Sequence, residues 1–208
     1  GAMIWYTIDI DVSIPAPEKT ISVEAVVRKA VSIEISLDNP TNEELRFDVT
    51  FEGEGLLGDD YFILPPLNKQ NDEKYELIYS PLLSGRRKGK VSFLNEKVGV
   101  FWYELDLNAI PSDPIVVDPI QSMIGSSGFV VLPIDNPIPG EVSLQVYISN
   151  TEHFKVVPDI IKLAPYAQST FELHFTPSNL NAPEYTDIVF SHPEFGELEY
   201  RASGEASL

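Results

Sequence analysis

The chain has 208 residues, and 14 Lys or Arg against 32 Asp or Glu side chains give it a net charge of −18. This acidity argues against nucleic acid and anionic membrane surfaces as partners, because both carry negative charge. The absence of cysteine excludes disulfides, thiol chemistry and Cys-ligated zinc. A hydrophobic fraction of 43% is enough for a packed core. The apolar runs are far shorter than the ~18 residues that a membrane-inserted helix needs.

The first residues of the chain resemble a segment that comes much later. Trp5-Tyr6 recurs as Trp102-Tyr103, 97 residues further on. Residues 4–10 therefore match the end of a repeated unit, and we expect them to be the last strand of a preceding copy. A first strand that merely shares Trp-Tyr is the alternative. Gly1-Ala2-Met3 has the form of a tag-cleavage remnant, so we assign residues 1–11 to this remnant and strand.

The same spacing of 97 residues relates most of the remaining sequence. Asn39-Pro40 recurs as Asn136-Pro137, and Val91-Ser92-Phe93 matches Ile188-Val189-Phe190. This self-similarity predicts two copies of one unit, over residues 12–109 and 110–208. Residues 108–114 are rich in proline and small polar side chains, which indicates a short linker between the copies.

Each copy consists of short segments in which apolar and polar residues alternate. Residues 31–37, 45–51 and 142–148 follow this pattern, which is typical of strands with one buried face. Turn signals such as Asn39-Pro40 and Ser84-Gly85 separate the segments. No stretch shows a sustained helical period with capping residues. We therefore predict two tandem immunoglobulin-like β-sandwiches of about seven strands each, without disulfides.

The sequence contains no convincing catalytic, cofactor or metal motif. Gly53, Gly55 and Gly58 have the spacing of a dinucleotide-binding loop, but two acids and strand-like residues follow instead of a helix. We interpret this segment as a flexible loop. The three histidines have no helical partners for zinc, and no serine lies in a nucleophile elbow. We expect no enzyme, no cofactor and no metal site.

A basic cluster stands out in this acidic chain. Arg86, Arg87, Lys88 and Lys90 hold four of the 14 positive charges within five residues. Such a cluster could bind an acidic partner, including a tubulin-like surface. The alternative is a solvated hairpin turn after Ser84-Gly85. The matching region of the second copy, residues 180–184, is neutral to acidic, so a working cluster would belong to the first copy alone.

Two further sets of residues are candidates for contacts between units. Trp5 and Trp102 occupy equivalent places just before a linker, where they could pack consecutive units together or simply be buried in a core. Asp9 and Asp11 lie near an expected boundary, where calcium could bind through oxygen ligands. No complete calcium loop surrounds them, which favours solvated acids.

The order of these elements resembles the ASH (ASPM–SPD-2–Hydin) domain family, whose members are immunoglobulin-like modules related to major sperm protein. In the first copy the matching elements are Asn39-Pro40, Phe62 with Pro66, Tyr75 to Pro81, and Gly99 to Leu107. In the second copy they are Asn136-Pro137, Phe154 with Pro158, Phe171 to Pro177, and Gly196 to Tyr200. The resemblance covers nearly the whole chain.

Within that family, Phe93 to Gly99 followed by Phe101 to Leu105 is similar to the large ciliary and flagellar members that carry a calponin-homology domain among ASH repeats. This resemblance implies a non-catalytic scaffold segment in the cytoplasm of the cilium or flagellum. Its site would be the axonemal central-pair apparatus, and its partners other axonemal proteins, with tubulin among the candidates. We expect the segment to be monomeric. An extracellular or periplasmic adhesive array with calcium between its domains is the alternative.

Overall fold

The computed structural model describes residue 3 and residues 5–10, 13–67 and 72–208. These ranges contain strands and turns, and no helix. Consequently, they hold no helix long and apolar enough to cross a membrane. The chain divides into two compact units. The first is the described part of residues 1–23, 32–79 and 86–108, and the second comprises residues 24–31, 80–85 and 109–208.

The first eight strands form two sheets. Their bounds are β1 Lys19–Val26, β2 Val31–Ile35, β3 Leu45–Glu52, β4 Leu56–Gly58, β5 Tyr61–Leu64, β6 Tyr75–Tyr79, β7 Gly85–Asn95 and β8 Gly99–Ile110. One sheet has the order β1-β8-β7-β3-β5, and the other has the order β2-β6-β4. In both, buried apolar side chains alternate with exposed side chains along the strands, because successive side chains of a strand point to opposite faces.

The remaining nine strands form two further sheets. Their bounds are β9 Ile115–Val116, β10 Ile120–Met123, β11 Gly128–Asp135, β12 Val142–Ile148, β13 Phe154–Val157, β14 Ile160–Leu163, β15 Gln168–Phe175, β16 Glu184–His192 and β17 Gly196–Ser207. One sheet has the order β10-β17-β16-β12-β14, with β9 beside β17, and the other has the order β11-β15-β13. The all-β, immunoglobulin-like fold class is therefore confirmed.

Two details of the sequence-based organisation change in the structure. Strand β8 continues to Ile110, so only residues 111–114 of the predicted linker lie between strands. The small polar residues at the end of β8 favour a loop, but pairing of β8 with its neighbouring strand overrides this local preference. The assignment of residues 12–109 and 110–208 to two copies stays a prediction.

The predicted strand at the start of the chain has no strand partner among the described residues. Residues 5–10 are outside any strand, and the exposed fractions of Trp5, Tyr6, Ile8 and Ile10 are 79–85%. Ile4 falls outside the described residues. A segment with this alternation forms a strand only when a neighbour accepts and donates its backbone hydrogen bonds. That residues 4–10 close a preceding copy stays a prediction.

Equivalent aromatic side chains fill the cores of the two units. In the first, the Phe93 ring lies edge-on to Tyr75 with ring centroids 5.2 Å apart, and 6.1 Å from Tyr103. In the second, Phe190 lies 5.1 Å from Phe171 and 6.2 Å from Tyr200, and Phe171 also contacts Tyr200 at 5.3 Å. Each cluster joins one sheet to the other, so these rings hold the two layers of each sandwich together.

In each copy, the buried asparagine of the Asn-Pro motif holds loop backbone groups in place by hydrogen bonds. The buried Asn39 amide donates to the carbonyls of Glu43 at 2.7 Å and Pro65 at 2.9 Å, and its oxygen accepts from the Thr41 N–H at 2.9 Å. Asn136 repeats this pattern with the carbonyls of Gly140 and Ala164, at 2.7 and 2.9 Å, and with the N–H of Ile138. Asparagine is required because it both donates and accepts here.

The glycine-rich segment after β3 contains no helix. Gly53 and Gly55 lie in the turn and Gly58 ends β4. Gly55 has a φ of 82°, a left-handed conformation that favours glycine. The segment is therefore a turn that leads into a short strand. It lacks the strand–loop–helix context of a dinucleotide site.

Candidate functional site

The basic cluster lies in a strand, and the alternative of a hairpin turn is wrong. Arg86, Arg87, Lys88 and Lys90 belong to the first half of β7, while the turn of the β7–β8 hairpin lies at residues 96–98. The long strand runs beside both β8 and β3. Strand geometry sends Arg86, Lys88 and Lys90 to one face and Arg87 to the other.

On the first face, each cation meets a partner on β8. The Arg86 guanidinium donates to both carboxylate oxygens of Asp106, at 2.9 and 2.5 Å. The Lys88 ammonium donates to Glu104 at 2.8 Å. As the cations advance along β7, their partners step back along β8, which is the pattern of directly opposed residues in antiparallel neighbours. We call Arg86, Lys88, Lys90 and their partners on β8 the charged ladder.

The third position of the charged ladder pairs a cation with an aromatic ring. The Lys90 ammonium lies 4.7 Å from the centroid of the half-buried Trp102 ring. The Trp102 indole N–H donates to the Pro15 carbonyl at 2.6 Å, and its own carbonyl accepts from the Glu18 N–H. These contacts of Trp102 all lie in the first unit. Its role in packing successive units together stays a prediction.

Arg87 is ion-paired on the opposite face. Its Nε lies 3.4 Å from a Glu54 carboxylate oxygen, and its side chain is 31% exposed. Arg86 and Lys88 are far more open to solvent, at 73% and 66%. The cluster is therefore most accessible at Arg86 and Lys88, where an open cavity of about 300 Å³ is lined by Arg86, Arg87, Lys88 and Asp106.

The hydrogen bonds of the charged ladder shift the pKa values of its charged side chains. The hydrogen bond from Arg86 lowers the pKa of the Asp106 carboxyl, and the same bond raises the pKa of Arg86. The hydrogen bond to Glu104 likewise raises the pKa of Lys88. All three groups are thus held in their charged forms at neutral pH. The site therefore presents ion pairs. To bind one of these cations, a carboxylate of an acidic partner must displace the carboxylate of this chain that is already paired with it.

Sequence reasoning identified the cations and missed the carboxylates that face them. Glu104 and Asp106 alternate with Leu105 and Leu107 on the second strand of a hairpin, so their spacing was a usable signal. The second copy lacks this arrangement. There the matching strands carry one Arg and no Lys: the Arg201 Nε lies 3.2 Å from Asp187, and another of its nitrogens lies 3.7 Å from Glu199.

The pairing at Asp106 predicts a titration. A pKa lowered in the folded state means that the pair stabilises the fold above the ordinary aspartate pKa and is lost as pH falls through the lowered value. We expect Arg86→Ala to raise the pKa of Asp106, measured from its side-chain carboxyl in a ¹³C NMR titration. Arg201→Ala, which removes a cation paired elsewhere, is the control. An unchanged titration of Asp106 in Arg86→Ala would contradict the assignment.

The other candidate residues are not brought together as a site. Trp5 is 82% exposed, Asp9 is exposed, and Asp11 falls outside the described residues. Within the described ranges, no three His, Cys, Asp or Glu side chains are grouped as metal ligands would be. The calcium alternative stays an untested prediction.

No family model matches the sequence. Two curated proteins are similar to most of the chain. Cilia- and flagella-associated protein 47 from Homo sapiens is 28% identical over 206 residues, which is 96% of this chain and 6% of that protein. Hydrocephalus-inducing protein from Mus musculus is 30% identical over 185 residues, which is 85% of this chain and 3% of that protein. The chain thus spans a small fraction of either relative.

Solved structures with a related fold include SSP-19, described as an MSP-domain protein-like family member of Caenorhabditis elegans. It has 11% identity and a TM-score of 0.35, covering 42% of this chain and 94% of that one. An ASH/PapD-like domain of human CEP192 has 12% identity and a TM-score of 0.37, covering 46% of this chain and 82% of that one. On the sequence comparisons, the chain is a homologue of cilia- and flagella-associated protein 47 and of hydrocephalus-inducing protein, as its resemblance to the ASH family implies.

Proposed function

We propose that the chain is a non-catalytic scaffold segment that acts in the axoneme of cilia or flagella, within the central-pair apparatus. The observation that carries this proposal is the similarity to cilia- and flagella-associated protein 47 along 96% of the chain. Its partners are other axonemal proteins, and tubulin is a candidate among them. The presence of a calponin-homology domain elsewhere in the same protein stays a prediction.

The charged ladder is the surface we assign to partner binding in the first unit. Lys88 and Arg86 are exposed, and Glu104 beside Lys88 is 37% exposed, whereas Asp106 beside Arg86 is only 11% exposed. A partner's carboxylates can replace Glu104 at Lys88 with little change in the number of ion pairs. Exposed pairs of this kind contribute little to stability, so their exchange favours specificity and fast association over raw affinity.

Affinity capture from axoneme extract tests this proposal. The immobilised chain should enrich central-apparatus proteins, identified by mass spectrometry, and the double variant Lys88→Glu with Lys90→Glu should reduce their recovery at least tenfold. Lys155→Glu with Lys162→Glu makes the same change in charge on the second copy and should not. Failure to recover any central-apparatus protein would contradict the location. Equal losses in the two variants would contradict the role of the ladder.

A further inference from the structure

Strand β11 lies at the edge of its sheet, and the backbone groups that point to its unpaired side can be identified. It pairs with β15 on one side, and no described strand pairs with it on the other. Pro133, in its second half, has no N–H, and its carbonyl accepts from the Tyr200 hydroxyl at 2.5 Å. Burial raises the pKa of Tyr200 to about 12, so the phenol remains a donor at neutral pH. Pro133 therefore directs its backbone polar group away from β15.

The orientation of Pro133 fixes the orientation of its neighbours. In an antiparallel ladder the N–H and C=O of one residue point to the same side, and successive residues alternate sides. Phe129 and Val131 precede Pro133 by four and two residues, so their backbone groups also point to the free side. The N–H of Asn136, in the opposite phase, donates to Ala167 just before β15. Four backbone groups consequently point to the side of β11 that no described strand pairs with.

The side chains at this edge are apolar and exposed. Phe129 is 57% and Val131 is 51% exposed. The Phe129 ring stacks on the His174 ring with centroids 5.2 Å apart, and His174 Nε2 lies 2.7 Å from a Glu172 carboxylate oxygen. These contacts hold the phenyl ring against the sheet. An exposed edge with apolar side chains is a template for pairing with another strand unless something covers it.

The equivalent edge in the first copy has polar side chains that are satisfied within the sheet. Ser32 and Glu34 of β2 occupy the places of Phe129 and Val131 at the repeat spacing. The Ser32 hydroxyl donates to Glu76 at 2.7 Å, and Lys74 donates to Glu34 at 2.7 Å. The apolar edge is therefore a property of the second copy alone.

The charge of the second copy specifies the kind of strand that would pair there. Residues 110–208 carry 13 Asp or Glu side chains and three Lys or Arg, a stronger imbalance than the 17 and 11 of residues 12–109. Glu172 lies directly opposite Val131 in the ladder, and Asp135 follows two residues after Pro133. Complementary charge increases the rate of association and suppresses wrong partners. A basic segment satisfies this condition and an acidic one does not.

We propose that the free edge of β11 binds an extended, basic segment of a partner protein as an added strand, with alternate apolar side chains over Phe129 and Val131. Up to four backbone hydrogen bonds form at these two residues, and Pro133 ends the ladder. A cavity of about 430 Å³, lined in part by Ile115, Pro133 and Leu198, adjoins that end and can hold the next side chain. This surface is separate from the charged ladder and does not depend on the ciliary role.

Hydrogen exchange of the free chain tests the orientation of the edge. The amides of Phe129 and Val131 should exchange at least 100-fold faster than those of Val130 and Leu132, which point to β15. Equal protection of all four amides would overturn the proposed free edge. This measurement needs no ligand and no substitution.

Peptide titration followed by ¹⁵N NMR tests the binding itself. The probe is a nine-residue peptide of alternating valine with lysine or threonine. It should shift the amides of Phe129 and Val131 and slow their exchange. A peptide with glutamate in place of lysine should bind at least tenfold more weakly at low salt. A peptide with proline at alternate positions, which lacks the necessary N–H groups, should not bind.

Replacing both apolar side chains with serine supplies the matched variant. Phe129→Ser with Val131→Ser should weaken peptide binding at least tenfold, while Tyr185→Ser, at an exposed aromatic on another strand, should leave it unchanged. Shifts at a different edge, or none at millimolar peptide, would overturn the proposal. Concentration-dependent shifts at Phe129 without peptide would also overturn it, because they would identify a second copy of the chain as the occupant.

Discussion

Replacing Phe171 with alanine is expected to lower the free energy of unfolding of the second unit by about 3–5 kcal/mol, the usual range for a large core aromatic. Phe171 is 1% exposed and contacts Phe190 and Tyr200, so its removal leaves a cavity between the two sheets. The surrounding strands are fixed by their ladders and can close only part of that space. The edge-to-face contacts with both neighbours are lost with the ring.

Urea unfolding followed by NMR peak intensities reads the two units separately and tests this expectation. Phe129→Ala is the matched control: it makes the same chemical change on the neighbouring strand, where the ring is 57% exposed. It should alter the unfolding free energy by less than about 1 kcal/mol. Both tryptophans lie in residues of the first unit, so tryptophan fluorescence should not change at the transition of the second. Equal losses in the two variants would refute the assignment of Phe171 to the core.

The position of Phe171 in the core could be predicted from sequence, and so could that of its counterpart Tyr75. Both lie in segments where apolar residues alternate, and these segments match each other 96 residues apart, so local pattern was sufficient. The inward-facing Asn39 and Asn136 were recognised as a recurring motif. Their hydrogen bonds could not be foreseen, because the carbonyls of Pro65 and Ala164 come from loops distant in sequence.

The surfaces were less accessible to sequence reasoning than the cores. The partners of the basic cluster depend on the register of the β7–β8 hairpin, which the turn at residues 96–98 sets. Alternation alone also cannot distinguish an edge strand from a central one. For β11 one sequence signal was present. Pro133 has no N–H to donate to a neighbouring strand, so it marks an edge strand. The spacing of Phe129 and Val131 predicts that their side chains lie on the same face of the strand. Only the sheet order showed that this strand lies at a free edge.

Asn136→Asp is the second substitution with a large expected effect, about 3 kcal/mol of unfolding free energy lost at pH 7. The Asn136 side chain is 2% exposed and donates to the carbonyls of Gly140 and Ala164. An ionised carboxylate cannot donate, so these two carbonyls lose their partner and face a negative oxygen. Only the contact in which the Ile138 N–H donates to this side chain survives. Asn179→Asp adds the same charge at an exposed position whose oxygen accepts from the Asn181 N–H, and it should cost little.

The pH dependence of Asn136→Asp separates this mechanism from a simple packing defect. Burial beside carbonyl oxygens disfavours the ionised form, so the introduced carboxyl should have a pKa above its ordinary value in the folded state. The folded state then binds more protons than the unfolded state, and stability falls as pH rises from the ordinary aspartate pKa to the raised one. Urea unfolding at pH 4 and pH 7 should show a smaller difference from the natural sequence at pH 4, where the protonated acid regains one donor. The same recovery is expected for Asn39→Asp in the first unit, since its amide donates to the corresponding pair of carbonyls. A loss independent of pH would mean that the loop rearranges to hydrate the carboxylate, and the two Asn-Pro motifs would then fix the loops less rigidly than their hydrogen bonds indicate.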